Sequence, residues 1–138
     1  MKYVLDTDHV TLHQRNHPLV VARIQGYSPD DLAITAITVQ EQMRGRLVEL
    51  GRARIDLTVA YAQLQNTVQY FCDLTILSFD TAAHQQYEQL RSQKIRIGTL
   101  DLRIAAIALS QDAILVTRNR RDFEQIPSLR IEDWSQSF

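Results

Sequence analysis

The stretch Tyr3-Val4-Leu5-Asp6-Thr7-Asp8 decides how the rest of the chain is read. Three residues of strand character run directly into two acids one residue apart. Asp and Thr are ordinary turn and helix-cap residues, so a turn or cap is a sufficient structural account of this stretch taken alone. A buried strand ending on two carboxylates also raises the question of what those carboxylates face.

Working outward, similar short apolar runs appear at Leu32–Thr35, Thr75–Phe79, Ile114–Thr117 and Leu129–Ile131, each read as a strand. Between them Val39–Leu50 has helical spacing. So does Ala53–Phe71, with Ile55, Val59, Ala62, Val68 and Phe71 on one expected face. Asp80 is the expected N-cap of a helix over Thr81–Gln93. Strands alternating with helices predict an α/β fold with a central, largely parallel sheet flanked by helices. In such folds ligands bind beyond the carboxyl ends of the strands, which puts Asp6 on the functional edge.

Composition narrows the class. The 138 residues are 45% hydrophobic and 22% charged, with only 4 Gly and 3 Pro, which predicts one compact domain over residues 1–138 without a linker. Cys72 is the only cysteine, so no intramolecular disulfide forms and a reducing compartment is expected. Asp6 and Asp8 interrupt the N-terminus before a signal-peptide core develops, and no apolar run approaches a membrane span. A cytoplasmic protein is expected. The net charge of −1 argues against a general polyanion binder. It conceals two local basic clusters, Arg44, Arg46, Arg52 and Arg54, and Arg118, Arg120 and Arg121. Such runs are ordinarily solvated helix faces, and they gain a purpose only beside a site that handles phosphate.

Three further acids occur where strands give way to helices. The segment after Gly98 is apolar nearly all round, through Leu102, Ile104, Ala105, Ile107, Ala108 and Leu109, and predicts a buried central helix with Asp101 in its first turn. A surface acid there would only answer the helix dipole. An acid opening a buried helix needs a partner or a cation. Glu41 follows the second strand, either as a metal ligand or as the reciprocal member of a capping box with Thr38 as N-cap. Asn119 and Asp122 follow the Ile114–Thr117 strand and could cap a short turn. Asp6, Glu41, Asp101 and Asp122 would then share one edge. At about 4 Å and an effective dielectric near 20, each pair of carboxylates costs roughly 4 kcal/mol, so the group protonates or binds a cation. An all-oxygen set suits Mg²⁺ or Mn²⁺, which would generate the attacking hydroxide and neutralise a phosphodiester.

With these residues in view, the chain resembles a PIN-domain ribonuclease of the VapC-like toxin type. The likeness rests on LDTD (5–8), ITVQEQMRG (37–45), IGTLDLRIAA (97–106), VTRNRRDFEQI (116–126) and LRIEDWS (129–135), in that order across nearly the whole chain. It implies RNA as substrate and Asp6, Asp101 and Glu41 as metal ligands. The fourth polar position falls on Asp122 or Asn119. Members often carry Asn where this chain has Asp8, so Asp8 is expected to support the ligands rather than to bind metal. Thr117 is expected to fix the strand end by hydrogen bonding, and Arg44, Arg118 and Arg121 to contact the RNA backbone. The implied partner is a VapB-like antitoxin, a small DNA-binding protein whose C-terminal segment covers the groove. A homodimer is the expected assembly.

Other readings compete. A haloacid-dehalogenase-type phosphatase also opens with a strand and D-x-D, yet it needs a later Lys, and none follows Lys94. A phospho-receiver would use Asp80 but lacks its strand-end Lys. His9 and His13 could share a helix face as zinc ligands, with His17-Pro18 marking the helix end, but exposed histidines are the expectation. A non-catalytic RNA-binding module would need the arginines without the buried acids.

Overall fold

The computed structural model describes residues 2–52 and 54–137. Five strands, β1 (Tyr3–Leu5), β2 (Leu32–Thr35), β3 (Thr75–Leu77), β4 (Ile114–Val116) and β5 (Ile131–Glu132), form one sheet in the order β3-β2-β1-β4-β5. Every neighbouring pair is parallel, and Tyr3 stands opposite both Leu32 and Ile114. Helices α1 (Thr7–Gln14) and α2 (Pro18–Gln25) connect β1 to β2, and α3 (Ala36–Leu50) and α4 (Leu57–Cys72) connect β2 to β3. Then α5 (Thr81–Ser92) and α6 (Thr99–Ser110) lead to β4, and the short α7 (Arg120–Phe123) leads to β5.

Because side chains alternate across a strand, the central strands feed two cores. Val4, Ala33 and Leu115 point to one face, where they meet Leu102, Ile104, Ala105 and Ile107 of α6 and Tyr87 and Leu90 of α5. Leu5, Leu32, Ile34 and Val116 point to the other, where they meet Val10, Phe71 and Trp134. The apolar α6 is the buried helix its composition predicts, with Ile104 through Ala108 almost inaccessible to solvent.

Several sequence boundaries move. The third strand stops at Leu77 rather than Phe79, the fourth at Val116 rather than Thr117, and the last is Ile131–Glu132 rather than Leu129–Ile131. Helix α3 starts at Ala36, ahead of Val39, because Thr35 caps it. Helix α4 starts at Leu57 on an Asp56 cap, and Ala53, the expected first residue, lies outside the described residues. Its buried stripe is Ala60, Thr67 and Phe71, whereas Val59 and Val68 of the expected face are exposed. The inward face of α4 is set by packing on α3, not by where its apolar residues are densest. His17-Pro18 begins α2 instead of ending a helix, with Pro18 in the first turn, where its missing N–H goes unneeded, and His17 as N-cap. Among the described residues no helix is long and apolar enough to cross a membrane.

The C-terminal segment is locked by Trp134, which is fully buried. Its ring stacks on Tyr27 at 5.1 Å and tilts against Tyr3 at 5.3 Å, with the Arg23 guanidinium 5.3 Å above it. The indole N–H donates to Glu132 Oε1 at 3.0 Å. Trp134→Ala is expected to cost about 3–5 kcal/mol, a large part of a small domain's stability. Urea denaturation followed by circular dichroism checks this, and a loss under about 1 kcal/mol would contradict the packing described.

Candidate functional site

From β1 the chain winds outward through β2 and β3, then returns across the sheet to β4 and β5. The order therefore reverses between β1 and β4, and the crevice beyond their carboxyl ends is where doubly wound sheets hold ligands. Asp6 leaves β1 in extended conformation and caps α1, its Oδ1 accepting from the Thr7 N–H at 2.8 Å. Its Oδ2 accepts from the Thr117 hydroxyl at the end of β4, also at 2.8 Å. Asp6 is thus a cap, and its carboxyl is also only 5% exposed at the switch point.

Glu41 arrives on α3. The cap of that helix is Thr35, whose Oγ1 accepts from the Thr38 N–H at 3.1 Å, so the Thr38–Glu41 capping box does not form. Glu41 Oε1 instead accepts from the Thr7 hydroxyl at 2.8 Å, and the Thr38 hydroxyl lies 3.0 Å from the same Thr7 oxygen. Asp101 sits in the first turn of α6, half-buried, and no hydrogen bond to its carboxylate comes from the described residues. Asn119 caps α7 and donates through Nδ2 to Asp122 Oδ2 at 3.0 Å, so the two candidates for the fourth position form one unit. Asp8 Oδ1 meets His9 Nδ1 at 2.8 Å, and its Oδ2 accepts from the Arg118 N–H at 3.0 Å and lies 3.4 Å from the Thr117 hydroxyl that bonds Asp6.

The acids feel one another. Burial, reinforced by the charges of Asp8 and Asp101, pushes Asp6 up to about 7, against the pull of its bonds from Thr117 and Thr7. Burial followed by the charges of Glu41, Asp122 and Asp8 pushes Asp101 up to about 6. Among the described residues no three His, Cys, Asp or Glu side chains are drawn tightly enough together to grip an ion as they stand. The donor chemistry nevertheless fits a hard divalent cation: oxygen ligands, no thiolate, and like charges that a cation would relieve.

Arg44, Arg118 and Arg121 are exposed. Arg44 lies three residues past Glu41, so the two project from neighbouring positions on α3. Arg46, in the same cluster, is tied to Glu49 at 3.0 Å and to Gln63.

The histidines depart from expectation. His9 is fully buried, not exposed, and its Nε2 accepts from the Trp134 N–H at 3.1 Å. His13 is half-buried and bonds the Tyr70 hydroxyl at 2.7 Å, and His17 Nδ1 accepts from the Val20 N–H. Three histidines with three separate partners do not make a zinc site. Thr7 is the contributor that the sequence did not flag, and His9 was flagged for zinc or for the surface instead of for the bonds it makes. Thr7 stands between the two acids that raised the question, and that position was the available signal. Nothing near His9 in the sequence announced its burial.

An acidic edge at the switch point of an all-parallel, doubly wound sheet marks the chain as an α/β protein with its candidate site beyond the carboxyl ends of β1 and β4. The chain belongs to the PIN domain family, whose model matches residues 3–129. Over 138 residues it is 31% identical to the tRNA(fMet)-specific endonuclease VapC of Salmonella typhimurium, spanning 97% of this chain and 98% of that protein. Ribonuclease VapC1 of Haemophilus influenzae is 29% identical over 99% of this chain and 100% of its own length. Among solved structures, DNA-bound VapBC from Salmonella typhimurium superposes with a TM-score of 0.82 at 28% identity, covering 97% of this chain and 98% of that one. VapBC-1 from nontypeable Haemophilus influenzae superposes with a TM-score of 0.80 at 27% identity, covering 99% and 100%. The chain is a VapC-like nuclease, and the phosphatase and non-catalytic readings fall away.

The raised carboxyls have a consequence for the metal-free protein. Between the ordinary value of 3.8 and about 7, the unfolded chain ionises Asp6 while the native state keeps its proton. The native state then binds more protons, so stability falls as pH rises through that window, and Asp101 acts in the same direction. In EDTA the melting temperature should be several degrees higher at pH 5 than at pH 8, and Asp6→Asn should flatten the difference. A wild-type profile that rises from pH 5 to pH 8 would contradict this.

Proposed function

We propose that the protein is an Mg²⁺- or Mn²⁺-dependent endoribonuclease that acts as the toxin of a toxin–antitoxin pair. The observation carrying this reading is that Asp6, at the end of β1, and Asp101, in the first turn of α6, are both pushed up by burial and by neighbouring carboxylates, with Asp8 acting on each. Asp6, Asp101, Glu41 and Asp122 would hold the cation. A divalent ion in such a set supplies charge neutralisation to a phosphodiester and activation of a water.

The remaining tasks belong to the chain. Thr117 and the Thr7 N–H aim the Asp6 carboxylate, and the Thr7 hydroxyl aims Glu41. Asn119 holds Asp122 in place. Arg44, Arg118 and Arg121 would contact the RNA backbone as charge-assisted donors. Transfer RNA is the first substrate class to test, from the name of the Salmonella relative.

The VapBC neighbours support a VapB-like antitoxin as partner. A cationic side chain from its tail, seated among the carboxylates, would relieve the same repulsion as metal and so exclude it. A cytoplasmic setting, a homodimer and a single domain over residues 1–138 complete the proposal.

Asp6→Asn and Asp101→Asn should each abolish RNA cleavage without loss of fold. Glu41→Gln should lower it by orders of magnitude, since Gln keeps shape and loses charge. For the wild type, Mn²⁺ at a hundredfold excess over Kd should add roughly 2.7 kcal/mol of stability. Cleavage assays on mixed RNA and melting curves in EDTA and in Mn²⁺ measure both effects. Near-wild-type cleavage by either Asn variant, or a full Mn²⁺ shift in Asp101→Asn, would overturn the assignment.

A further inference from the structure

His9 has no part in the chemistry just described, yet it is fully buried and bonded at both ring nitrogens. The Trp134 backbone N–H can only donate, so Nε2 accepts and the ring proton resides on Nδ1. Nδ1–H therefore donates to Asp8 Oδ1 at 2.8 Å. The other oxygen of Asp8 accepts from the Arg118 N–H at 3.0 Å. Arg118 opens the loop that leads to Asn119 and Asp122, and its neighbour Thr117 is the residue that bonds Asp6. Thr117 in turn accepts from the Asn119 N–H at 3.0 Å.

We propose that His9 is a positioning residue: through Asp8 it fixes the Thr117–Asn119 loop against the acidic edge, and it holds the Asp8 carboxylate on the Arg118 N–H. Asp8 is an anion beside Asp6 and Asp101, close enough to raise both. Released from His9, it would be free to swing toward any cation bound there and would let go of the loop that aims Asp6 and Asp122. The two bonds of His9 thus have separate consequences. The bond to Trp134 holds the C-terminal segment and bears on stability. The bond to Asp8 holds the edge and bears on turnover.

Two substitutions separate them, because each keeps one ring nitrogen's function. The amide of Asn reaches about as far as Nδ1, so His9→Asn preserves the donor to Asp8 and loses the acceptor for Trp134. The amide of Gln reaches about as far as Nε2, so His9→Gln preserves the acceptor for Trp134 and loses the donor to Asp8. The inference rests on the RNA-cleaving reading, so steady-state cleavage of RNA in Mn²⁺ is measured together with melting temperature and with amide hydrogen exchange at Arg118.

The expected pattern crosses over. His9→Gln melts near wild type but loses about 10–100-fold in kcat, with KM for RNA little changed and the Arg118 amide deprotected. His9→Asn melts lower but, well below its melting temperature, turns over close to wild type with Arg118 still protected. If kcat falls in step with melting temperature in both variants, or if Arg118 stays equally protected in both, His9 is only a core residue and the proposal fails. A wild type that does not cut RNA would instead overturn the functional reading, and the Arg118 exchange pattern would still decide the role of His9.

Discussion

An all-parallel sheet imposes one constraint from which the rest follows: every strand delivers its carboxyl end to the same edge. Whatever begins the next helix is delivered there too. Helix N-termini leave unsatisfied N–H groups, and the residues best suited to answer them are small oxygen-bearing ones. The fold therefore gathers Asp6, Thr35, Thr117 and Asn119 at one edge, whether or not each serves chemistry as well. Reversal of the strand order between β1 and β4 opens a crevice among them. Capping and catalysis are not competing explanations in such a fold, since the first assembles the side chains that the second would use.

The electrostatics follow from the same crowding. Carboxylates placed together to serve as ligands repel one another when nothing neutral or positive lies between them. The structure eases this with hydroxyls: Thr117 and Thr7 donate to Asp6 and Glu41, while Asp101 has no such donor among the described residues. The edge is consequently a region where stability has been surrendered locally, and the two buried cores on either side of the sheet supply the compensation. An anionic groove of this kind has a standing affinity for any cationic group that fits. That makes a metal ion and an arginine from a partner natural rivals for one place.

Much of the fold was legible because its signals are local. Strands β1 and β2, the Asp80 cap of α5 and the buried α6 each announce themselves within a dozen residues. The candidate acids were legible for a related reason, since each stands where an apolar run meets a helix. What failed depended on distant packing. Helix α4 exposes Val59 and Val68 and buries a different stripe, one that contains Thr67. Pro18 signals a break in the sequence, and only its neighbours decide that the break is a beginning. His9 looks like a surface residue until Trp134, distant in the chain, arrives to cover it.

That last contact has a bearing on when the protein becomes competent during synthesis. His9 and Trp134 are 125 positions apart, so the first helix and the final strand's neighbour must meet before either is secured. A ribosome adding roughly 5–20 residues per second has Asp6, Glu41 and Asp101 translated before Trp134 appears. Until then the His9 imidazole on α1 lacks the Trp134 N–H from which it accepts. The order of translation therefore acts as a delay, withholding a finished edge until Trp134 has left the tunnel.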